Sequence, residues 1–356
     1  MNQFRAYPLA LKNRKFFFSI RRLVAEYANN TTRLFDLIIN REHFVWSLNL
    51  INSRLKYKFN ALYWGIKLNH ETDNNIDDFR RNVHRIEKGL SYLNIKDTFA
   101  EEYILETVVF LQEDYQKAAF DKNTRNWGIA VLNLYFEVCQ HTEQIAKAYQ
   151  IFQKLNLDNQ DHDWTPYISK NRPALSILPN DLLQLALRRR SIRYYLDRPV
   201  ESSSIQEAMK IAALSPSACN RQSFKFLFFN QRNLVNQISQ IPGGVSGYEI
   251  PSVIIVIGRY RGYFDARDIN VPIIDSSLAS MAFIFALETL GLSSVCINWP
   301  NLPDREEKIR QLIHLEKDEF IVMLIGVGYP DPNGKIPYSA KKELNKILDI
   351  NQRINN

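Results

Sequence analysis

The chain is poor in the residues that would make it a disulfide scaffold, a metal protein or a membrane span. Its 356 residues hold three cysteines, Cys139, Cys219 and Cys296, which are far apart and odd in number. Such spacing supports neither a disulfide framework nor a four-cysteine metal site, and a reducing, cytoplasmic compartment is the simplest setting for it. The six histidines, His43, His70, His84, His141, His162 and His314, form no short ligand motif. No unbroken run of about eighteen apolar residues occurs, so no membrane-spanning helix is expected. With 12 Gly and 14 Pro the chain is neither collagen-like nor linker-dominated. Positive charge is in modest excess, formally +7, and is spread along the chain. Nucleic-acid binding rests on a concentrated basic patch, so no nucleic-acid partner is expected. A pocket for an anionic cofactor needs only a few of these charges.

What remains is a globular composition, 46% apolar and 23% charged, long enough for two or three domains. The opening stretch MNQFRAYPLALKNRKFFFSIRRLV is basic and aromatic. Lys12, Arg14 and Lys15 interrupt the apolar core that a signal peptide needs. A solvated terminal helix is the simpler reading, and peripheral contact with an anionic membrane surface is its alternative.

The chain divides into two regions. Residues 1–170 read as mostly helical: RRLVAEYANNTTRLFDLII has apolar residues at helical spacing. NTRNWGIAVLNLYFEVCQHTEQIAKAYQIFQKL reads as one long helix or two, with Leu132, Phe136 and Cys139 on one face. FRRNVHRIEKGLSYLN packs Arg80, Arg81, His84, Arg85, Glu87 and Lys88 into a short span to which spacing alone assigns no chemistry. Tyr167 to Asp181, with two prolines and little periodicity, reads as a boundary. Residues 181–350 then alternate helices with the strand-like runs KFLFF, PSVIIVIG, SSVCIN and EFIVMLIGVG. Asn180 is placed to cap the helix that follows it, and Ser204 with Glu207 reads as a capping box. Ile273 to Gly291 is apolar nearly all round and is expected to be buried, its small residues permitting close packing.

Four stretches of this second region could carry chemistry. RRRSIR, Arg188 to Arg193, gathers guanidiniums and a hydroxyl that can hold a phosphate by charge-assisted bonds, although a solvated helix end would look the same. LSPSACNRQSFKF places Pro216, small residues and the amides of Asn220 and Gln222 between a helix and a strand, which suits either a surface loop or a loop lying flat on a planar heterocycle. LGLSSVCIN ends a buried helix at Gly291, where a left-handed backbone is expected. Beyond Gly328, Lys335, Lys341 and Lys342 either reach back to a phosphate or form a solvated tail. GVGYPD lacks the glycine pattern and the helix that a Rossmann dinucleotide site requires.

Taken in order, these stretches resemble the nitroreductase family of flavoproteins. The likeness rests on Arg189, Arg190, Ser191, Ile192 and Arg193; on Pro216, Ser217, Asn220 and Gln222; on Asp275; on Glu288, Gly291 and Leu292; and on Gly328, Tyr329 and Pro330. Ser223 and Phe224 stand where the family has Pro-Trp, and Ser293 replaces a Gly. The segments from Phe229 to Pro251 and from Arg259 to Asp275 are short for the family, which leaves the substrate class open. The resemblance implies an α+β fold, a central mixed sheet flanked by helices and preceded by the helical region. It also implies an FMN-binding homodimer with the cofactor at the subunit interface. Arg189, Arg190, Ser191, Arg193, Lys341 and Lys335 would hold the phosphate. Ser217, Ala218 and Asn220 would line the flavin from the partner subunit, with Pro216 in the same cofactor-site motif, Gln222 supporting that loop, and backbone near Gly291 and Leu292 close by. The implied activity takes hydride from NAD(P)H through flavin N5 to a small organic acceptor: a nitroaromatic, quinone, enone or biosynthetic intermediate. A flavin-dependent dehydrogenase and a non-catalytic scaffold with a degenerate flavin fold are the alternatives. No dedicated catalytic side chain or metal is expected. Tyr195, Tyr248, Tyr263 and Trp299 are candidates to stack on a substrate, and Cys219 is expected to pack without a catalytic role. The HRIEKGL stretch, His84 to Leu90, resembles the extension of nitroreductase-like proteins encoded among polysaccharide-biosynthesis genes.

Overall fold

The computed structural model describes residues 60–68, 76–155, 157, 164–244, 247–263 and 266–351. The expected helix in RRLVAEYANNTTRLFDLII lies outside them. Contacts divide the chain into two units. One is Met1–Phe59 with Asn301–Glu306, of which only 301–306 are described. The other joins Asn60–Pro300 to Glu307–Asn356 and carries everything below except the first residues of the helix Pro303–Leu312.

Among the described residues the helical region includes α1 (Ile76–Leu90), α2 (Ile104–Lys117), α3 (Lys122–Val138) and α4 (Glu143–Lys154). In α1, Phe79, Val83, Ile86 and Leu90 recur at helical spacing and are buried against Leu111, Leu132, Phe136 and Phe152 of the other three helices. The long helical pattern is two helices, α3 and α4. Leu132, Phe136 and Cys139 are all buried, as their shared face requires. Asp121 caps α3, its carboxylate accepting from Thr124 N at 3.0 Å. Gly128 of α3 lies directly against the Phe79 ring, which also packs on Phe120 at 4.7 Å. A methyl group there has no room. Gly128→Ala is expected to lower stability by about 1–3 kcal/mol, read as a shifted midpoint in urea denaturation.

Helices α5 (Pro179–Arg188), α6 (Ser202–Ala212), α7 (Arg232–Gln240), α8 (Val271–Thr289) and α9 (Pro303–Leu312) alternate with β1 (Phe224–Phe229), β2 (Ser252–Arg259), β3 (Ser293–Asn298) and β4 (Glu319–Gly328). All four apolar runs are therefore strands. They form one sheet in the order β1-β2-β4-β3 with antiparallel ladders. Parallel pairing enters at an isolated bridge, Ser191 to Ser294. Successive side chains of the central strand β2 go to opposite faces. Val253, Ile255 and Ile257 join Val235 and Ile238 of α7 and Ile309 of α9, while Ile254 and Val256 join α6 and α8 through Ala208, Phe283 and Leu287. Covered on both faces, β2 reads as a continuous apolar run.

Two helix starts differ from their expected caps. The fixed φ of Pro179 suits a first helical turn, so α5 begins there and Asn180 lies inside it. Asp181 supplies the cap, accepting from Leu178 N at 2.9 Å. Helix α6 begins at Ser202, which puts Ser204 within the first turn and leaves Glu207 paired with Lys210 at 2.7 Å.

By length and composition α8 could cross a membrane. Here it is the core helix, with Ser276, Ala279, Ser280, Phe283 and Leu287 buried. Ser276 and Ser280 spend their hydroxyls on the helix itself, donating to Pro272 O and Ser276 O at 2.7 Å each. The expectation of burial all round fails on one stripe: Ile274, Leu278 and Met281 remain exposed.

Candidate functional site

Helix α5 ends at Arg188, and Arg189 turns the chain into extended backbone. The next residues run alongside β3: Ile192 N donates to Ser294 O at 3.1 Å, and Ile192 is buried. Tyr195 donates its hydroxyl to Ile192 O at 2.7 Å and fixes the return. With Ile192 anchored, Arg189, Arg190, Ser191 and Arg193 line a cavity of about 470 Å³, together with Gly244, Tyr248, Pro337, Ser339 and Lys341. Four cations face this space, and among the described residues no carboxylate lines it. Arg190 also donates to Pro337 O at 3.0 Å and ties the C-terminal arm to the site. Lys341 is thus brought to the arginines as expected, whereas Lys335 is exposed and lies outside the lining.

A second cavity, about 220 Å³, shares Arg193, Gly244 and Tyr248 with the first. Its remaining walls are mostly apolar, with Ile250, Val295 and Ile297 beside Cys296 and Asn298. A cationic end thus adjoins a smaller, less polar slot. Of the four aromatic candidates, only Tyr248 lines these spaces. Tyr263 and Trp299 are buried, and Tyr195 is held by its bond to Ile192 O.

Gly291 has the expected left-handed backbone, φ 75°. The N–H groups of Gly291 and Leu292 close the end of α8, donating to Glu288 O and Leu287 O. Neither residue lines either cavity. Glu288 is buried beside this turn and meets Arg188 at 3.3 Å. Burial pushes its carboxyl up, against Ser293 and the neighbouring Arg188 and Arg189.

The Pro216–Gln222 loop is the other half of the expected constellation, and it lines neither cavity. Cys219, Asn220 and Gln222 have φ of 52°, 51° and 53°. Left-handed backbone at non-glycine residues costs about 1–3 kcal/mol each, so the surroundings must enforce it. Asp275 accepts from Ala218 N at 3.0 Å and from Tyr263 Oη at 2.8 Å. Burial pushes the Asp275 carboxyl up, opposed by those two bonds and by Arg221. Ser217 Oγ accepts from Gln222 N at 3.1 Å, and Gln222 Nε2 donates to Ala213 O at 2.6 Å. Arg80 of α1 reaches the loop as well, from a cluster whose spacing signalled charge but no role.

Asp275, beneath the loop, and Glu288, beside the arginines, lie on the same helix. Thirteen residues at about 1.5 Å per residue separate the two by about 20 Å. One chain therefore holds the arginine cavity and the small-residue loop near opposite ends of α8.

The sequence profile of the nitroreductase family matches residues 186–243 and 246–329, which include the arginine run, the loop and the strands between them. The match begins beyond His84–Leu90, so that stretch gains no support from it. A protein of Methanothermobacter thermautotrophicus provisionally named NADH dehydrogenase/NAD(P)H nitroreductase is 31% identical over 157 residues, 43% of this chain and 79% of the relative. An Archaeoglobus fulgidus protein of the same name is 28% identical over 156 residues, 42% of this chain and 86% of its own. A solved structure of a similarly named Parabacteroides distasonis protein is 26% identical, covers 48% of this chain and 96% of its own, and has a TM-score of 0.42. With the arginine run, the amide loop and the helix between them all inside the matched segment, the chain belongs to the nitroreductase family.

Proposed function

We propose that this chain is an FMN-dependent NAD(P)H oxidoreductase acting as a homodimer. The observation that carries the reading is the cavity of Arg189, Arg190, Arg193 and Lys341, which among the described residues has no carboxylate in its lining and which adjoins the apolar slot beside Tyr248. Guanidiniums in that arrangement suit a terminal phosphate. Fixed cations need no reorganisation to stabilise negative charge nearby. When bound, FMN supplies hydride acceptance and return at N5, taking hydride from NAD(P)H and passing it to a small organic acceptor. The chain's own part is to hold the phosphate with Arg189, Ser191, Arg193 and Lys341, and to admit planar molecules past Tyr248. Amides and backbone of the Pro216–Gln222 loop would meet the ring edge. No side chain is assigned a proton-transfer role.

The separation along α8 supports the homodimer reading. A second copy related by a two-fold axis would bring its loop to the first copy's arginines. The apolar surface fits that arrangement. Helix α5 buries none of its residues, and its Leu182, Leu183 and Leu187 are more than half exposed. The Ile274, Leu278 and Met281 stripe of α8 and Ile336, Leu344 and Ile347 of the C-terminal arm are exposed too. Exposed apolar side chains of this kind support an interface reading. Residues 1–170 are read as a mostly helical region of unassigned role that precedes the 181–350 FMN-binding domain.

The test is the absorption spectrum of freshly purified protein, its released cofactor identified by mass, followed without oxygen as NADH or NADPH is added. FMN that bleaches is the expected result. FMN that stays oxidised would favour the dehydrogenase direction, and protein that rejects added FMN would favour a scaffold. Light scattering on a sizing column is expected to give twice the chain mass of 41.7 kDa.

A further inference from the structure

Arg80 belongs to α1, 140 residues before the loop it touches. Its three guanidinium nitrogens are each committed. Nε donates to Asn220 O at 2.8 Å, and one terminal nitrogen donates to Gln222 Oε1 at 3.2 Å. The other donates to Thr124 Oγ1 at 2.5 Å. The two loop partners flank Arg221 and are themselves left-handed residues. The third partner is fixed in turn: Thr124 donates its hydroxyl to Asp121 Oδ2 at 2.7 Å, inside the cap of α3. The Trp127 ring lies 5.2 Å from the guanidinium carbon. Arg80 is thus held on the helical side by two groups of α3 and grips the loop at two points.

A second tie runs below the first. Asp77, one turn earlier on α1, is buried and faces Arg259 at the end of β2 at 3.6 Å. The α1 helix therefore has a defined seat on the sheet region, and Arg80 is presented to the loop in one register. A planar fork of donors suits two acceptors at fixed angles, which a lysine cannot match.

We infer that the helical region is part of the cofactor site, with Arg80 as the positioning residue that imposes the backbone of Cys219–Gln222. Its role toward the flavin rests on the function proposed above; its role toward the loop does not. The family's sequence match starts at residue 186, so this support comes from outside the shared fold. The loop of this chain depends on residues that a stand-alone family domain would not carry.

Two readouts separate the two parts. The first is amide hydrogen exchange of the peptide spanning residues 214–224 in the full-length apo-protein. The second is the dissociation constant for FMN, from fluorescence titration, with the visible spectrum of the bound form. Arg80→Ala and Arg80→Lys are compared with Val83→Ala, which opens the helical core on the same helix without touching the loop. Both Arg80 variants are expected to speed exchange across the peptide at least about fivefold, to weaken FMN binding at least about tenfold, or 1.4 kcal/mol, and to shift the flavin bands. Val83→Ala is expected to lose stability while leaving both readouts within about twofold. Exchange and affinity unchanged in the Arg80 variants would overturn the inference. So would equal losses in Val83→Ala, which would mean that Arg80 acts only through stability. Faster exchange with FMN affinity intact would overturn the cofactor role and leave the clamp. Wild-type protein that binds no FMN, with exchange still accelerated by Arg80→Ala, would overturn the proposed function and uphold the clamp.

Discussion

Arg189→Ala combined with Arg193→Ala is expected to weaken FMN binding far more than riboflavin binding. Each arginine is placed to give at least one charge-assisted bond to a phosphate, worth about 1.5–3 kcal/mol. Losing two such bonds removes about 3–6 kcal/mol, which at 1.4 kcal/mol per decade is about a 10²- to 10⁴-fold rise in the dissociation constant. Riboflavin has the ring system without the phosphate, so its affinity should move by no more than about twofold if the ring slot is intact. Fluorescence titration of the apo-protein with both ligands reads the difference. Added salt should narrow the gap between the two ligands in the wild type, because the cavity is half-exposed and its charges are screened. Equal losses for both ligands would show that the arginines support the fold instead. No loss for either would remove the phosphate assignment. Lys341 and Arg190 remain in the double variant and keep the cavity basic, so a collapse of the lining is not expected.

The parts of this site that lie in short, regular stretches are legible in the sequence itself. The arginine run is contiguous, and burying Ile192 between Ser191 and Arg193 is what extended backbone does with an apolar residue flanked by polar ones. The four strands are legible for the same reason: β-branched runs bounded by turns declare themselves. What sequence cannot supply is distance across the fold. Nothing in the spacing of Asp275 and Glu288 says that the loop belongs to one end of α8 and the arginines to the other. The left-handed loop is invisible too, because Cys219, Asn220 and Gln222 are not glycines and their φ is imposed by Asp275, Ser217 and Arg80. Arg80 sits in a conspicuous cluster of cations, but its partners are 140 and 142 residues away. The misplaced caps at Asn180 and Ser204 have a local cause. Several polar residues in a row can each serve as the cap, and Pro179 or the first serine decides where the helix starts.

A larger effect on stability is expected at Asp318, which has no exposed side-chain surface and sits just before β4. It accepts from Arg261 Nε at 2.8 Å, from a terminal guanidinium nitrogen at 2.5 Å and from the backbone N–H of Arg261 at 3.0 Å. Asp318→Ala removes three bonds to Arg261 and leaves its partly buried guanidinium with Glu316 at 3.8 Å as a remaining carboxylate partner. The change is expected to cost about 3 kcal/mol, the lower end for a broken buried pair. Asp318→Asn keeps the shape and one acceptor and should cost roughly half as much. Denaturation followed by tryptophan fluorescence measures both. Burial raises the Asp318 carboxyl, but the Arg261 bonds and charge outweigh it, and the group ends below its ordinary 3.8. Its folded-state value is therefore the lower one. The stability it contributes is complete above the ordinary value and is lost as pH falls through the folded value. The wild type should lose stability steeply below about pH 4, and Asp318→Asn should show a shallower acid limb. The ion pair also fixes the turn after β2. That turn carries Tyr263, whose hydroxyl donates to Asp275, and Asp275 in turn accepts from Ala218 N at the root of the left-handed loop. Asp318→Ala should therefore weaken FMN binding along with stability, although Asp318 lines neither cavity. If stability fell and FMN affinity did not, the chain of contacts through Tyr263 and Asp275 would not be what holds the loop, and Arg80 would be left as its principal restraint.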